Sequence, residues 1–144
     1  MAFVETQRSV VAPAECDHLG HMNVSRYFAT VGDGSLAMQT LLGLGPKDVR
    51  EGRKLSFVVV HADSDFKSEL VAGDVICLET GILEIGEKSI VFLHRLKRTE
   101  DGATAFETHC RCVMLNLTTR RAVAIPADVV EKARNYLIDA TIGK

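Results

Sequence analysis

The sequence predicts an α+β fold in which one long helix packs against one curved antiparallel sheet. Two patterns carry this. Apolar residues recur at helical spacing in one long stretch, residues 23–43, and again only briefly after Pro126. Most of the remaining chain reads as strands, with turns at Gly86-Glu87 and Asp101-Gly102 of the type that joins antiparallel neighbours. Size agrees with a single domain over 1–144: 47% of the residues are hydrophobic and 25% charged, ordinary globular values. A chain this long buries roughly 68–70% of its unfolded surface, so its core needs neither disulfides nor metal.

The first strand covers residues 3–11, where Phe3-Val4 and Val10-Val11 bracket polar positions, and Pro13 ends it by removing a ladder donor. A loop over 14–22 follows. Asn23 is an N-cap residue type, and Gly43 a C-terminal stop. Between them Val24, Tyr27, Phe28, Val31, Ser35, Met38, Leu41 and Leu42 mark the face expected to be buried. Gly32 and Gly34 each cost this helix about 1 kcal/mol relative to alanine. With Ala29, Ser35 and Ala37 they make its middle slim, as a helix closely approached by a sheet requires. Four strands are expected at 54–65, 75–85, 88–98 and 103–117, with a turn at Ala72-Gly73-Asp74 before the second. Including the first, that makes about five strands. Pro126 precedes a closing helix with Val129, Val130, Ala133 and Leu137 on one side.

Composition excludes several functions. Seventeen basic against nineteen acidic residues leave a formal charge of −2, which gathers no phosphate backbone, so no nucleic-acid partner is expected. The longest apolar runs, such as Phe57-Val58-Val59-Val60, fall far short of the ~20 residues of a membrane span. Residues Met1 to Arg8 lack the basic and apolar regions of a secretory signal. Cys16, Cys77, Cys110 and Cys112 contain no Cys-x-x-Cys spacing and read as reduced, buried thiols. The expected setting is the cytoplasm, away from membranes.

Chemistry concentrates in Glu15-Cys16-Asp17-His18-Leu19-Gly20-His21-Met22-Asn23, immediately before the long helix. The first N–H groups of a helix lack intrahelical partners, and its dipole favours negative charge there. Such donors polarise a carbonyl and hold the oxyanion formed on attack, while a nearby carboxylate activates water or attacks directly. Each residue also has a plainer reading. Asp17 caps a turn, His21 braces the loop, Asn23 caps the helix and Tyr27 packs in the core. His18-x-x-His21 lacks further ligands at a fitting spacing, so no metal is expected. Cys16 is a poor nucleophile beside Glu15 and Asp17, whose charges disfavour its thiolate.

The pattern Asp17-x-x-Gly20-His21-x-Asn23-x-x-Arg26-Tyr27 after a first strand resembles the 4-hydroxybenzoyl-CoA thioesterase-like group of hotdog-fold proteins. Three later segments are similar in order and spacing: Asp65-Phe66-x-x-Glu69-Leu70-x-x-Gly73-Asp74, Leu83 to Ser89, and Ala124-Ile125-Pro126. The resemblance covers roughly residues 4–130. It implies a long central helix wrapped by the sheet, and a homodimer whose two sheets become continuous, or a dimer of such dimers. It also implies hydrolysis of acyl-CoA, or of acyl carrier protein thioesters, with CoA entering only as part of the substrate and no separate cofactor. On this resemblance Asp17 is the nucleophile or general base. Gly20, His21 and Met22 supply the turn and the donors facing the thioester carbonyl, and Asn23 with His21 holds the loop. Lys88 and Ser89 face the ligand from the adjoining chain.

The implied chemistry is attack on the thioester carbonyl by water that Asp17 deprotonates, or by Asp17 itself through a mixed anhydride. A thiol leaving group of pKa ~8.5 departs without a strong acid. Two other readings stand beside it. A hotdog hydratase or dehydratase carries Asn-Pro between its acid and histidine, where this chain has Leu19-Gly20. A non-catalytic acyl-CoA-binding module would bind without turnover. A betainyl-CoA subgroup with similar spacing has tryptophan two residues before the aspartate. Here Glu15 stands there and the chain has no tryptophan, so the usual aromatic cradle for a quaternary ammonium is missing. Phe28, Phe57, Phe66 and Phe92 are candidates to line an acyl pocket.

Overall fold

Five strands form one antiparallel sheet in the spatial order β1-β3-β4-β5-β2. They are β1 (Val4–Val10), β2 (Leu55–Phe66), β3 (Val75–Ile85), β4 (Ser89–Arg98) and β5 (Thr104–Asn116). The computed structural model describes residues 3–138; Met1, Ala2 and 139–144, which the expected 1–144 domain includes, lie outside them. Each of the four ladders between these strands carries one register shift, at Glu5/Gln7, Val59/His61, Ile82/Glu84 and Leu96/Lys97. Bulges bend strands and increase their twist, and the sheet is curled accordingly. The hairpins close where the sequence places them, and Gly102 takes φ +72°, a conformation glycine adopts without strain.

Helix α1 (Val24–Leu41) lies across one face of this sheet. Tyr27, Val31, Gly34 and Met38 are buried there. A Cβ on Gly34 would run into the side chain of Leu78 and stand 2.9 Å from Thr6 Oγ1. The slim middle of the helix thus meets β1 and β3 directly. One expectation needs correction: Val24, Phe28 and Leu41 are exposed, while Thr30 and Gln39 are buried. Four-residue steps advance 400° and drift round the helix, and the close approach at Gly34 sets which arc is covered. Gln39 is buried to good effect, because its Oε1 accepts the Phe57 N–H at 2.8 Å and the Ser56 hydroxyl at 3.1 Å. That pair ties the C-terminal half of α1 to the start of β2.

Two elements were not anticipated. Helix α2 (Pro46–Arg50) is a single turn started by Pro46, and β6 (Arg121–Ala122) is a two-residue extension paired with β5. Helix α3 (Ala127–Ala133) buries Val129 and Ala133. Leu137 does not share that face: the chain becomes extended after Tyr136, and the Ile138 N–H donates to the Ile82 carbonyl at 2.9 Å, leaving Leu137 exposed. Cys77, Cys110 and Cys112 are buried free thiols and Cys16 is half-buried. Burial pushes the Cys112 thiol up to about 12. β2 is an edge of the sheet along its whole length, with Val59 and Val60 exposed.

Candidate active site

The loop before α1 is folded by its own backbone. Cys16 and Met22 form an antiparallel bridge. Within it the Asp17 N–H donates to His21 O and the Gly20 N–H to Asp17 O, both at 3.0 Å. Gly20 sits at φ +85°, where a side chain is strained. Two further bonds anchor the loop: Met22 N–H to Leu70 O at 2.7 Å, and Asn23 N–H to Glu15 O at 2.8 Å. Asn23 is the N-cap of α1, its Oδ1 accepting from the Ser25 N–H at 3.0 Å and the Ser25 hydroxyl at 2.9 Å.

Inside this frame Asp17 is held at one oxygen. Its Oδ1 accepts the Leu19 N–H at 2.8 Å, and its Oδ2 lies 4.0 Å from His21 Nδ1, with 19% of the side chain exposed. His21 lines a cavity of about 360 Å³ together with Met22, Val24 and Tyr27. The opposite wall is Phe66, Lys67, Ser68 and Glu69, the segment leaving β2. Four aromatic rings back this cavity. Tyr27 meets Phe66 edge-on at 5.2 Å, Phe106 packs 4.8 Å from Phe66, and Phe28 stands edge-on to Phe106 at 5.4 Å. Burial raises the Tyr27 pKa, and the nearby charges of Glu69 and Asp17 push the same way. The phenol stays protonated and sits by the Leu70 N–H.

The backbone donors around the cavity are mostly spent. Leu19, Gly20, Met22, Asn23, Ser25 and Arg26 all donate their N–H within the protein. Of the three donor residues read from the sequence, Gly20 and Met22 therefore build the loop. The N–H groups of His21 and Val24 make no hydrogen bond among the described residues, and both residues line the cavity. Lys88 and Ser89 stand at the opposite end of the sheet. Ser89 is in register with Val113, whereas the Tyr27–Phe66–Phe106 cluster lies where Leu96 pairs with Phe106. Within one protomer they do not meet Asp17. His18 is exposed, and no group of three metal-ligating side chains occurs among the described residues. Sequence reasoning missed the wall formed by residues 67–69. Its signal was present, because the polar run after Phe66 breaks the strand beside residues already quoted for their spacing.

Residues 11–133 match the family model of the thioesterase-like superfamily. The chain belongs to this superfamily. Its structure is similar to that of a Staphylococcus aureus protein characterised in complex with CoA, with TM-score 0.85 and 24% identity over 94% of this chain and 85% of the other. A gentisyl-coenzyme A thioesterase aligns with TM-score 0.76 and 23% identity, covering 88% of this chain and 98% of that one. A 1,4-dihydroxy-2-naphthoyl-CoA thioesterase from Synechocystis gives TM-score 0.79 at 14% identity, covering 92% and 96%. At such identities the likeness establishes the hotdog fold. No curated protein matches the sequence. Among the described residues no helix is long and apolar enough to cross a membrane.

Proposed function

We propose that the protein hydrolyses an acyl-CoA thioester, with Asp17 as the reacting carboxylate. The observation that carries this is a half-sequestered carboxylate, 4.0 Å from His21, next to an apolar cavity lined by His21 and Val24, the two residues whose N–H groups are unspent among the described residues. The acyl group enters the cavity between Tyr27 and Phe66, and the carbonyl oxygen faces the N–H groups of His21 and Val24 at the start of α1. Donors fixed where charge develops lower the barrier without reorganising. Water adds to the carbonyl carbon while its proton passes to Asp17. The C–S bond then breaks, and the departing thiolate takes that proton. If Asp17 attacks instead, the thiolate leaves first and water cleaves the resulting anhydride. Both routes use the same residues and no separate cofactor.

In this reading the whole chain is one hotdog domain, its sheet wraps α1 as the central helix, and it works in the cytoplasm. The exposed edge of β2 supports a homodimer with continuous sheets, or a dimer of dimers. A second copy would bring Lys88 and Ser89 to the ligand. Gly20, Met22 and Asn23 hold the loop, and Tyr27 forms the cavity wall.

The test is thiol release from a panel of aliphatic and aromatic acyl-CoAs by wild type and by Asp17→Asn. The amide still offers an oxygen to the Leu19 N–H, so the loop stays folded while the charge is lost. Wild-type turnover should fall by about 10²–10⁴-fold, the usual contribution of a positioned acid or base. Binding without release by the wild type would replace hydrolysis with the acyl-CoA-binding reading.

A further inference from the structure

The ionisable side chains that line the active-site cavity are His21, Tyr27, Lys67 and Glu69. Lys67 holds its ammonium 3.8 Å from Glu107, the Tyr27 phenol stays protonated, and Glu69 stands on the wall across from the Asp17 loop. His21 is the one placed at the carboxylate. Its Nδ1 lies 3.4 Å from the Met22 carbonyl oxygen and 4.0 Å from Asp17 Oδ2. A carbonyl and a carboxylate only accept hydrogen bonds, so both favour the proton on Nδ1. The neutral ring then carries its free lone pair on Nε2, which makes no hydrogen bond among the described residues. The side chain is 27% exposed. The loop does not depend on this ring as a brace, because backbone bonds from Asp17, Gly20, Met22 and Asn23 already close it.

We propose that the His21 imidazole is a second catalytic group, the base that activates the water cleaving an acyl-Asp17 anhydride. The inference rests on the thioesterase reading of the site and deepens it by selecting the route in which Asp17 attacks. First, Asp17 Oδ2 bonds to the carbonyl carbon, and the C–S bond breaks with its electron pair leaving on sulfur as thiolate. Asp17 has then lost its charge and cannot serve as a base, while its Oδ1 remains on the Leu19 N–H. The ring 4.0 Å from the acylated oxygen takes over. A water oxygen bonds to the acyl carbon while one of its protons passes to Nε2. The bond from that carbon to Oδ2 breaks, restoring the carboxylate and releasing the free acid. The imidazolium returns its Nε2 proton to the thiolate, and the enzyme ends as it began. A base held beside its nucleophile by a shared contact is a recurrent arrangement for such two-step transfers.

The experiment is rapid-mixing thiol release from the acyl-CoA that the wild type turns over fastest, with melting temperatures on every variant. His21→Asn keeps an N–H donor beside the Met22 carbonyl and leaves the backbone N–H of residue 21 in place. It should release about one equivalent of thiol per site in a burst. Its steady-state rate should then fall by about 10²–10⁴-fold, the scale of a lost general base. Acid-quenched enzyme should carry the mass of the acyl group, and the double variant with Asp17→Asn should not. In His21→Ala, added imidazole should speed the slow phase and leave the burst unchanged. A ring that only braced the loop would give a lower melting temperature, a weaker burst and no rescue, and that result overturns the proposal. So does a slowed steady state without an acyl adduct. Unchanged turnover in both His21 variants, with Asp17→Asn inactive, overturns the role of His21 and leaves the hydrolase reading standing. A wild type that hydrolyses no ester overturns both.

Discussion

Asp17 divides its two carboxylate oxygens between two tasks. Oδ1 closes a turn on the Leu19 N–H, the plain role its position in the sequence offered, and Oδ2 is turned toward His21. The two roles are compatible, and a pair of substitutions separates them. Asp17→Asn removes the charge and keeps an acceptor. Asp17→Ala removes both and leaves the Leu19 N–H without its partner, at a cost of about 1 kcal/mol. Both variants should be equally inactive, and urea unfolding should find Asp17→Ala about 1 kcal/mol less stable than Asp17→Asn. Equal stabilities would mean that the turn does not depend on this oxygen. The candidate loop was legible because a carboxylate followed by Gly20, His21 and a helix cap is dense chemistry in one short stretch. Which N–H groups of that loop stay unbonded was not. That depends on the fold as a whole, since the Met22 N–H is spent on Leu70, forty-eight positions away in sequence.

The same split between local and distant information governs the elements. Strands β2 to β5 begin and end within a residue or so of their sequence boundaries, since turn residues such as Gly86-Glu87 and Asp101-Gly102 act locally. The spatial order, with β2 on the far edge beyond β5, follows from tertiary packing that no local signal encodes. Helix α1 shows both cases in one element. Its ends were legible from Asn23 and Gly43, while its buried arc depended on where the sheet presses. Its two glycines should therefore respond with opposite signs. Gly32→Ala adds helix propensity in open space and should stabilise by about 1 kcal/mol. Gly34→Leu drives a side chain into Leu78 and Thr6, whose hydroxyl is bonded to Thr80 at 2.9 Å. Overpacking of about 3 kcal/mol outweighs the ~1 kcal/mol of propensity regained, a net loss of about 2. Thermal melts of the two variants would show this, and a stable Gly34→Leu would mean that α1 does not lie closely on the sheet.

Across the whole molecule the registers of β3, β4, β5 and β2, with a side-chain hydrogen bond from β1, bring polar residues into one row under α1. Thr80, His94, Thr108 and Ser64 are successive cross-strand partners, and Thr6 joins through Thr80. Thr80 Oγ1 lies 2.8 Å from His94 Nδ1, and the Ser64 and Thr108 hydroxyls are 2.7 Å apart. His94 is fully buried, and its Nε2 has no partner among the described residues. Burial alone pushes its pKa down to about 4, from an ordinary 6.5. The folded protein therefore carries His94 neutral, while the unfolded chain takes up a proton near pH 6.5. Stability is fully present above that value and is lost as pH falls toward 4, by about 3 kcal/mol in all at 1.36 kcal/mol per pH unit. Paired carboxylates act lower: Glu5, bonded to Arg8, is held at about 2 against a usual 4.5. Its contribution is lost only as pH falls from about 4.5, so the interval between 4.5 and 6.5 separates the two. Denaturant unfolding should show wild type losing about 2 kcal/mol between pH 7 and pH 5. His94→Asn, which cannot titrate there, should lose much less over the same interval, even though its own stability is lower for lack of packing. Parallel pH profiles for the two proteins would show that His94 is reached by solvent in the folded state, and that the sheet is not closed over its centre by α1.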